Sequence, residues 1–429
     1  MSTGTGLLQR ATSSQPGAIV LCRTVTGLAT VRALYRAGIS VQAWIFSDTD
    51  PTRFTRCARV VVVPSHARSE ECLVDFLVES SRQLGDARPV VFPTCDAHAL
   101  LLAQHSSRLT AFYRLWTTGH QTLHRIVSKD CLYAIADAAA VPTVPSIVEP
   151  EPAELASWSI SHPGPYILKP FYVGSHGAGL HTKNAVVTSR DELLDYVSRN
   201  GAQKLIAQRL LRGGDGQIFD CYGLCDGRGR IVQMATHRRW RQNLPDRGAT
   251  CFGEIPSGLP AADEATILEQ TRLLLASVCY HGIFGIEWLR DLRTGRFHLI
   301  DFNARPFMCI GHLADSGLNL PALAYRELTG DLPRDLETLP RLRRCYWIDL
   351  LRDLQTFRKR WADGDLGFWE WLGSVVRCRS WAYLDFRDPL PGIVRGGALL
   401  RLLGRLAWTT LLRLPRSSGV VRSDFDTTR

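Results

Sequence analysis

Two apolar segments that each carry an acidic residue decide how this chain folds. They are Gly285-Ile286-Glu287-Trp288-Leu289-Arg290 and Phe297-His298-Leu299-Ile300-Asp301-Phe302-Asn303-Ala304-Arg305-Pro306. The interval 291–295 contains a glycine and predicts a short turn between two antiparallel strands. Such a hairpin sets Glu287 and Asp301 side by side, with Asn303 on the same strand face as Asp301. Carboxylate and amide oxygens of this kind are ligands for Mg²⁺, which also binds phosphate oxygens.

Arg305 extends this face of the hairpin. Its guanidinium offers a planar fork for a phosphate group. The alternative is a hairpin at the protein surface whose charged side chains are simply solvated, which is common for Asp, Glu and Arg. The hairpin alone does not distinguish the two interpretations, so the rest of the chain must.

The composition is that of a globular protein with an excess of positive charge. The chain has 429 residues, 45% hydrophobic and 21% charged, with a formal net charge of +10. Nucleotides, acidic substrates and anionic lipids all suit this charge. The basic residues are spread along the chain without a dense block or interleaved aromatic residues, so we do not expect nucleic acid as a partner. The length predicts roughly two to four domains.

Cysteines and the N-terminal residues bear on the compartment. The twelve cysteines are scattered singly, without a CxxC framework or a zinc-type spacing, and are interpreted as reduced thiols. Residues 1–17 are small and polar and lack an apolar signal core. We therefore predict a flexible tail at 1–17 and a cytoplasmic protein.

The next part of the chain has the pattern of a parallel α/β unit. An apolar run at 18–22, an amphipathic segment at 27–37 and a second apolar run at 39–46 predict a right-handed strand-helix-strand unit. No GxGxxG loop accompanies it. The pattern therefore predicts a Rossmann-like scaffold without a dinucleotide site.

Two lysines occupy positions that suit phosphate binding. Lys129 begins a predicted helix, where its charge opposes the helix dipole, so a functional role and a chance surface position are equally balanced. Lys169 is the one charge of a predicted strand, and a glycine-rich loop follows it. Backbone N–H groups in such a loop bind phosphate oxygens, and the alternative is a flexible turn beside a surface lysine. The loop residues of interest are Gly174, Ser175, His176 and Gly177.

Other candidate positions follow the second lysine. The strand predicted at 204–208 ends at Gln208 and offers backbone groups to a base. Asp215 lies in a glycine-rich turn, where it either accepts from ribose hydroxyls or stabilises the turn. A basic cluster that contains Arg238 and Arg241 suggests an anion site at the end of a strand, with a solvated basic edge as the alternative.

With these residues assembled, the region from about residue 20 to 328 resembles the ATP-grasp superfamily, in particular its carboxylate-amine ligases. The resemblance implies a mixed α/β and α+β fold, in which a Rossmann-like pre-ATP-grasp domain precedes a two-lobed ATP-grasp fold and a helical extension. The implied units are the pre-ATP-grasp domain at 18–124, an N-lobe with a glycine-rich lid at 125–206, a C-lobe with the metal site at 207–332 and a mainly helical extension at 333–429.

The resemblance also assigns roles to the candidate residues. It implies that the nucleotide is held by Lys129, Lys169, Gly174, Ser175, His176, Gly177, Gln208 and Asp215. It implies Mg²⁺, with Mn²⁺ as an alternative, on Glu287, Asp301 and Asn303. Arg305 would bind the transferred phosphate, and Arg238 and Arg241 the substrate carboxylate or the tetrahedral intermediate.

The reaction implied by the family is ATP-dependent formation of an amide. ATP phosphorylates a small-molecule carboxylate, and an amine attacks the acyl phosphate with release of ADP and phosphate. Arg209 stands where relatives have a glutamate near adenine, and an arginine cannot accept from the adenine amino group. A degenerate scaffold that binds nucleotide or a partner without turnover therefore stays open as an alternative. A phosphotransferase that ends at the phosphorylated product is a further alternative.

The C-terminal segment raises the question of a membrane. Residues 396–414 carry arginines among apolar side chains and contain no acidic residue. Such a helix either lies on an anionic membrane surface, which would place the protein peripherally at the inner membrane, or packs on the protein body. A homodimer also stays open.

Overall fold

A computed structural model describes residues 16–82, 87–116, 118–171, 184–211, 216–243 and 248–397. The predicted lid residues Gly174, Ser175, His176 and Gly177, and also Asp215, lie outside these ranges. So do the tail up to residue 15 and all but the first two residues of 396–414. Their roles stay predictions.

The N-terminal sheet is parallel, with the strand order β3-β2-β1-β4. Its strands are β1 (Ala18–Cys22), β2 (Val41–Ile45), β3 (Arg59–Val62) and β4 (Val90–Pro93). The helices of this region are α1 (Thr24–Arg36), α2 (Glu70–Ser81), α3 (Asp96–Gln104), α4 (Ser106–Leu109) and α5 (His120–Val127), with 3₁₀ turns at Pro51–Phe54 and Ser65–Ala67. The predicted unit is confirmed, because β1 and β2 pair in parallel across α1.

A second sheet has the order β5-β8-β6-β7 and is antiparallel. Its strands are β5 (Ser146–Val148), β6 (Tyr166–Pro170), β7 (Ala185–Val187) and β8 (Leu205–Arg209). Helix α6 (Lys129–Ala138) leads into this sheet, and α7 (Pro152–Ser161) and α8 (Arg190–Asn200) accompany it. Buried apolar side chains of β6, β8, α7 and α8 form a core of their own.

The third sheet is the largest and has the order β13-β12-β9-β10-β11-β14-β15. Its strands are β9 (Ile218–Cys225), β10 (Ile231–Gln242), β11 (Thr250–Ile255), β12 (Gly282–Arg290), β13 (Phe297–Asn303), β14 (Cys345–Ile348) and β15 (Ser380–Trp381). Helix α9 (Ala261–Val278) packs on this sheet, and its buried apolar side chains share one core with Phe219 and Trp288. The predicted hairpin of the opening segments is confirmed as β12 and β13.

The last part of the chain is helical but also completes the third sheet. Its helices are α10 (Ile310–Ser316), α11 (Leu320–Thr329), α12 (Leu350–Ala362) and α13 (Phe368–Arg377). Strand β14 pairs with β11, so the predicted extension is built into the sheet that it follows. Within the described ranges, no helix is long and apolar enough to cross a membrane.

Candidate functional site

A cavity of about 340 Å³ is lined by side chains of the second and third sheets and by residues that follow β1 and β4 of the N-terminal sheet. We call it the central cavity. Six residues predicted to act together line it, although they are distant in the sequence: Lys129, Lys169, Glu287, Asp301, Asn303 and Arg305. The fold therefore brings the two lysines and the hairpin of acidic residues into one site.

The β12–β13 hairpin sets the acidic side of this cavity. Glu287 and Asp301 are directly paired across the two antiparallel strands. The Nδ2 atom of Asn303 donates to Oε1 of Glu287 at 3.1 Å, which leaves the amide oxygen of Asn303 as its donor atom for a cation. Three oxygen-bearing side chains thus converge from adjacent strands, as the alternation of side chains along a strand requires.

Lys129 contacts this hairpin through Asp301. Its Nζ donates to Oδ1 of Asp301 at 2.7 Å, and its backbone N–H donates to the carbonyl oxygen of Phe171. Burial disfavours the charged ammonium, but the charge of Asp301 outweighs burial and raises the pKa of Lys129. The lysine is therefore a permanent positive charge at the start of α6.

Lys169 is held by a glutamine on the neighbouring strand. Its Nζ donates to Oε1 of Gln208 at 2.6 Å, and both side chains are buried. Gln208 is not among the residues that line the central cavity. Its contact is with Lys169, which it orients from β8 across to β6.

Arg239 supplies a further positive charge to the central cavity. Its Nη2 lies 2.7 Å from Oε1 of Glu287, and its Nε donates to Oδ2 of Asp220 at 2.9 Å. Asp220 is fully buried and also accepts from Nδ1 of His237 at 2.8 Å. Burial raises the pKa of Asp220, but Arg239 and His237 outweigh it and lower the pKa to about 2. Asp220 thus holds Arg239 charged and directed at Glu287.

The structure places the two predicted arginines elsewhere. Arg238 stacks on Trp240, with its guanidinium carbon 3.8 Å from the ring centroid, and Arg241 pairs with buried Asp353 at 2.8 Å. A shift in register between Arg239 and Gln242 changes which side chains face the cavity. As a result Arg239 and Gln242 line it, and neither Arg238 nor Arg241 does.

Arg305 lies at the cavity wall and is paired with an aspartate of the N-terminal region. Its Nε donates to Oδ1 of Asp96 at 2.9 Å, and its Nη2 to Oδ2 at 3.2 Å. This bidentate geometry fixes the plane of the guanidinium. Asp96 begins α3, so the pair ties the N-terminal region to the end of β13.

Known proteins resemble this chain in structure but not detectably in sequence. No family model matches it, and no curated protein does. N5-carboxyaminoimidazole synthetase from Staphylococcus aureus, solved with ADP, is similar at a TM-score of 0.61 and 14% identity, over 81% of this chain and 86% of that one. The biotin carboxylase domain of Hydrogenobacter thermophilus 2-oxoglutarate carboxylase has a TM-score of 0.58 and 14% identity, over 75% and 71%. L-amino acid ligase from Bacillus licheniformis has a TM-score of 0.56 and 14% identity, over 76% and 78%.

The chain has the ATP-grasp fold. The predicted fold class is thereby confirmed, including the Rossmann-like region ahead of the ATP-grasp sheets. In this fold the central cavity lies between the sheet that carries Lys169 and the sheet that carries Glu287.

The oxygen atoms at the hairpin fit a magnesium ion that takes its remaining ligands from the phosphates of a nucleotide. Glu287, Asp301 and Asn303 offer only oxygen atoms, which Mg²⁺ prefers, and there are too few for a cage made by the protein alone. Within the described residues, no group of three or more His, Cys, Asp or Glu side chains forms a metal site. A cation bound here would therefore take phosphate oxygens or water as its other ligands.

Two residues that line the central cavity and one buried neighbour are not predicted from the sequence. Arg239 was passed over in favour of Arg238 and Arg241, because the bulge in β10 leaves no clear sequence signal. Asp220 did have a signal, as the one charge in the apolar run of β9. Gln242 lines the cavity and is almost fully buried, and neither of its amide atoms has a hydrogen-bond partner among the described residues.

Proposed function

We propose that this protein is an ATP- and Mg²⁺-dependent ligase that activates a carboxylate as an acyl phosphate and joins it to an amine. One observation carries the proposal: five cationic side chains and three oxygen-donor side chains from distant parts of the chain line a single cavity. The cationic residues are Arg23, Lys129, Lys169, Arg239 and Arg305, and the oxygen donors are Glu287, Asp301 and Asn303. Phosphoryl transfer needs this combination, because negative charge develops on the migrating group.

The cationic side chains would act by neutralising that charge. Lys129 and Lys169 come from the side of the second sheet and would hold the phosphates of ATP. Arg239 and Arg305 come from the third sheet and would hold the transferred phosphoryl group or the substrate carboxylate. Positioned charges stabilise a transition state without a nucleophilic side chain from the protein.

Glu287, Asp301 and Asn303 would hold the metal. Mg²⁺ bound there would supply Lewis-acid stabilisation of the phosphate oxygens. Each carboxylate lies against a cationic side chain, Glu287 against Arg239 and Asp301 against Lys129.

The similar structures support a nucleotide at this site. The Staphylococcus aureus synthetase was solved with ADP, and the Hydrogenobacter thermophilus domain with MgADP and bicarbonate. The alternative of a binding scaffold without turnover rests on Arg209, which is half-buried at the end of β8. A glutamate there would accept from adenine, and arginine only donates.

The test is to incubate the purified protein with MgATP and a panel of carboxylates and amines, and to measure ADP and phosphate. A ligase releases ADP only when both a carboxylate and an amine are present. A phosphotransferase would release ADP without an amine. A scaffold would bind MgATP, as measured by calorimetry, but would release no ADP under any condition. Either of those results would overturn the proposal.

A further inference from the structure

A second cavity of about 560 Å³ lies beside the central one and is larger than it. It is enclosed by α1, α10 and the segment that follows β15. Apolar side chains dominate its wall, among them Val25, Ala29, Trp347, Trp381 and Leu384. Its volume lies in the range of about 300–1,000 Å³ typical of small-molecule sites.

The mouth of this cavity is apolar and exposed. Phe386 is fully exposed, and Leu384 and Ile393 expose 46% and 59% of their surfaces. All three line the cavity. Exposed apolar side chains grouped around a concave surface mark a ligand site more often than an ordinary surface, because their burial by a ligand is favourable.

Four of the five charged side chains in the wall have ion-pair partners, and Arg379 is the fifth. Arg32 pairs with Asp388 at 2.9 Å, and Arg36 pairs with Asp315 at 2.5 Å and also with Asp385. These pairs offset their charges within the wall. An apolar group that enters beside these residues therefore avoids the free-energy cost of desolvating an unpaired charge.

The second cavity adjoins the central cavity. Met308 lines both. On α1, Thr24 and Thr26 face the central cavity while Val25 and Ala29 face the second one. Met308 and the first turn of α1 thus lie at the boundary between the two cavities, and methionine adapts readily to what packs beside it.

We propose that the second cavity holds the apolar body of the carboxylate substrate, while its carboxylate reaches the central cavity past Met308. This inference rests on the proposed function and narrows the substrate to a carboxylic acid with an aliphatic or aromatic body. A small, fully polar acid would leave the second cavity and its apolar mouth without contacts.

The experiment measures binding of straight-chain carboxylates from acetate to decanoate by calorimetry, with the full chain. Each methylene buried in an apolar site tightens binding by about three- to fourfold. We expect the dissociation constant to fall progressively with chain length. An affinity that does not depend on chain length overturns the proposal.

Two variants locate the binding. Leu384→Trp fills the mouth from a half-exposed position and is expected to weaken decanoate binding at least about tenfold with little effect on acetate. Phe386→Ala removes a fully exposed ring without loss of packing and is expected to weaken decanoate about threefold. Ile160→Ala, at an exposed position on α7, is the matched control. Unchanged decanoate affinity in both variants overturns the proposal.

A parallel assay of ADP release separates this inference from the proposed function. If decanoate binds and both variants weaken it, but no ADP forms with any amine, the cavity assignment stands and the ligase proposal fails. If ADP forms with acetate and decanoate at equal kcat/KM, the ligase proposal stands and the cavity assignment fails.

Discussion

The Nζ atom of Lys129 lies 2.7 Å from Oδ1 of Asp301, across 172 residues of sequence. The pair joins the first residue of α6 to β13, and it is largely buried. A buried ion pair of this kind contributes little net stability, because desolvation offsets most of the attraction. It does keep both charges in place within the cavity. We interpret it as preorganisation of a site that receives phosphate at the lysine and a cation at the carboxylate.

Removing the carboxylates should abolish the response to metal. We expect Glu287→Gln and Asp301→Asn each to lower Mg²⁺-dependent ADP formation by at least about 100-fold, because one charged ligand is lost. Binding of Mn²⁺ in the presence of ADP, followed by electron paramagnetic resonance, should weaken in parallel. Glu269→Gln, at an exposed position on α9, is the control. Unchanged Mn²⁺ binding in both site variants would show that the metal binds elsewhere.

Replacing either lysine should weaken nucleotide binding. Hydrogen bonds to charged groups contribute about 1.5–3 kcal/mol, so Lys129→Met and Lys169→Met should each raise the dissociation constant of MgATP about 10- to 150-fold. Calorimetry provides the measurement, and Lys359→Met, exposed on α12, is the matched control. If AMP, which lacks the outer phosphates, loses as much affinity as ATP does, the lysines are not phosphate ligands.

Substitution of Arg239 should lower the activity, whereas substitution of Arg241 should lower the stability. Arg239→Lys keeps a charge beside Asp220 but loses the planar contact to Glu287, and we expect kcat to fall about 100-fold or more. Arg241→Leu leaves buried Asp353 without its cationic partner, and we expect a loss of about 3–5 kcal/mol in the free energy of unfolding. Urea denaturation and steady-state kinetics separate the two. An Arg241→Leu protein of normal stability and no activity would reverse the assignment.

The buried Asp220 should make stability depend on pH in the acid range. Its pKa is lowered to about 2 in the folded protein, against an ordinary value of about 4. The stabilisation is therefore complete above about pH 4 and is lost as the pH falls from about 4 to about 2.

Urea denaturation at pH 5 and pH 3 measures that loss. Asp220→Asn should have lower stability at pH 5 and a smaller difference between the two values, since the asparagine does not titrate. Asp195→Asn, on the exposed face of α8, should behave like the parent. An equal loss between pH 5 and pH 3 in the parent and Asp220→Asn would contradict this account.

Local patterns predicted the elements that lie close together in sequence. The hairpin at Glu287 and Asp301 and the strand-helix-strand unit follow from apolar periodicity and glycine turns, and both are present. What the patterns missed depends on pairing between distant strands. The bulge after Arg239 is set by the register of β10 on β11, and one shifted residue exchanges the side chains that face the cavity.

The C-terminal region shows the same limit in another form. The sequence predicts a mainly helical extension, but Cys345–Ile348 also pairs with β11 as a strand of the third sheet. A strand of four residues within a mostly helical segment has little periodicity to reveal it. The second cavity depends on that packing, since Trp347 and Trp381 form part of its wall.

Transfer of oxygen from the carboxylate to phosphate tests the ligase mechanism most directly. The protein would be incubated with MgATP, an amine and a carboxylate labelled with ¹⁸O in both oxygens, and the phosphate released would be analysed by mass spectrometry. An acyl phosphate that is attacked at carbon leaves one carboxylate oxygen on the phosphate, so the account predicts one ¹⁸O in each phosphate formed together with the amide. Unlabelled phosphate accompanying amide formation would contradict it.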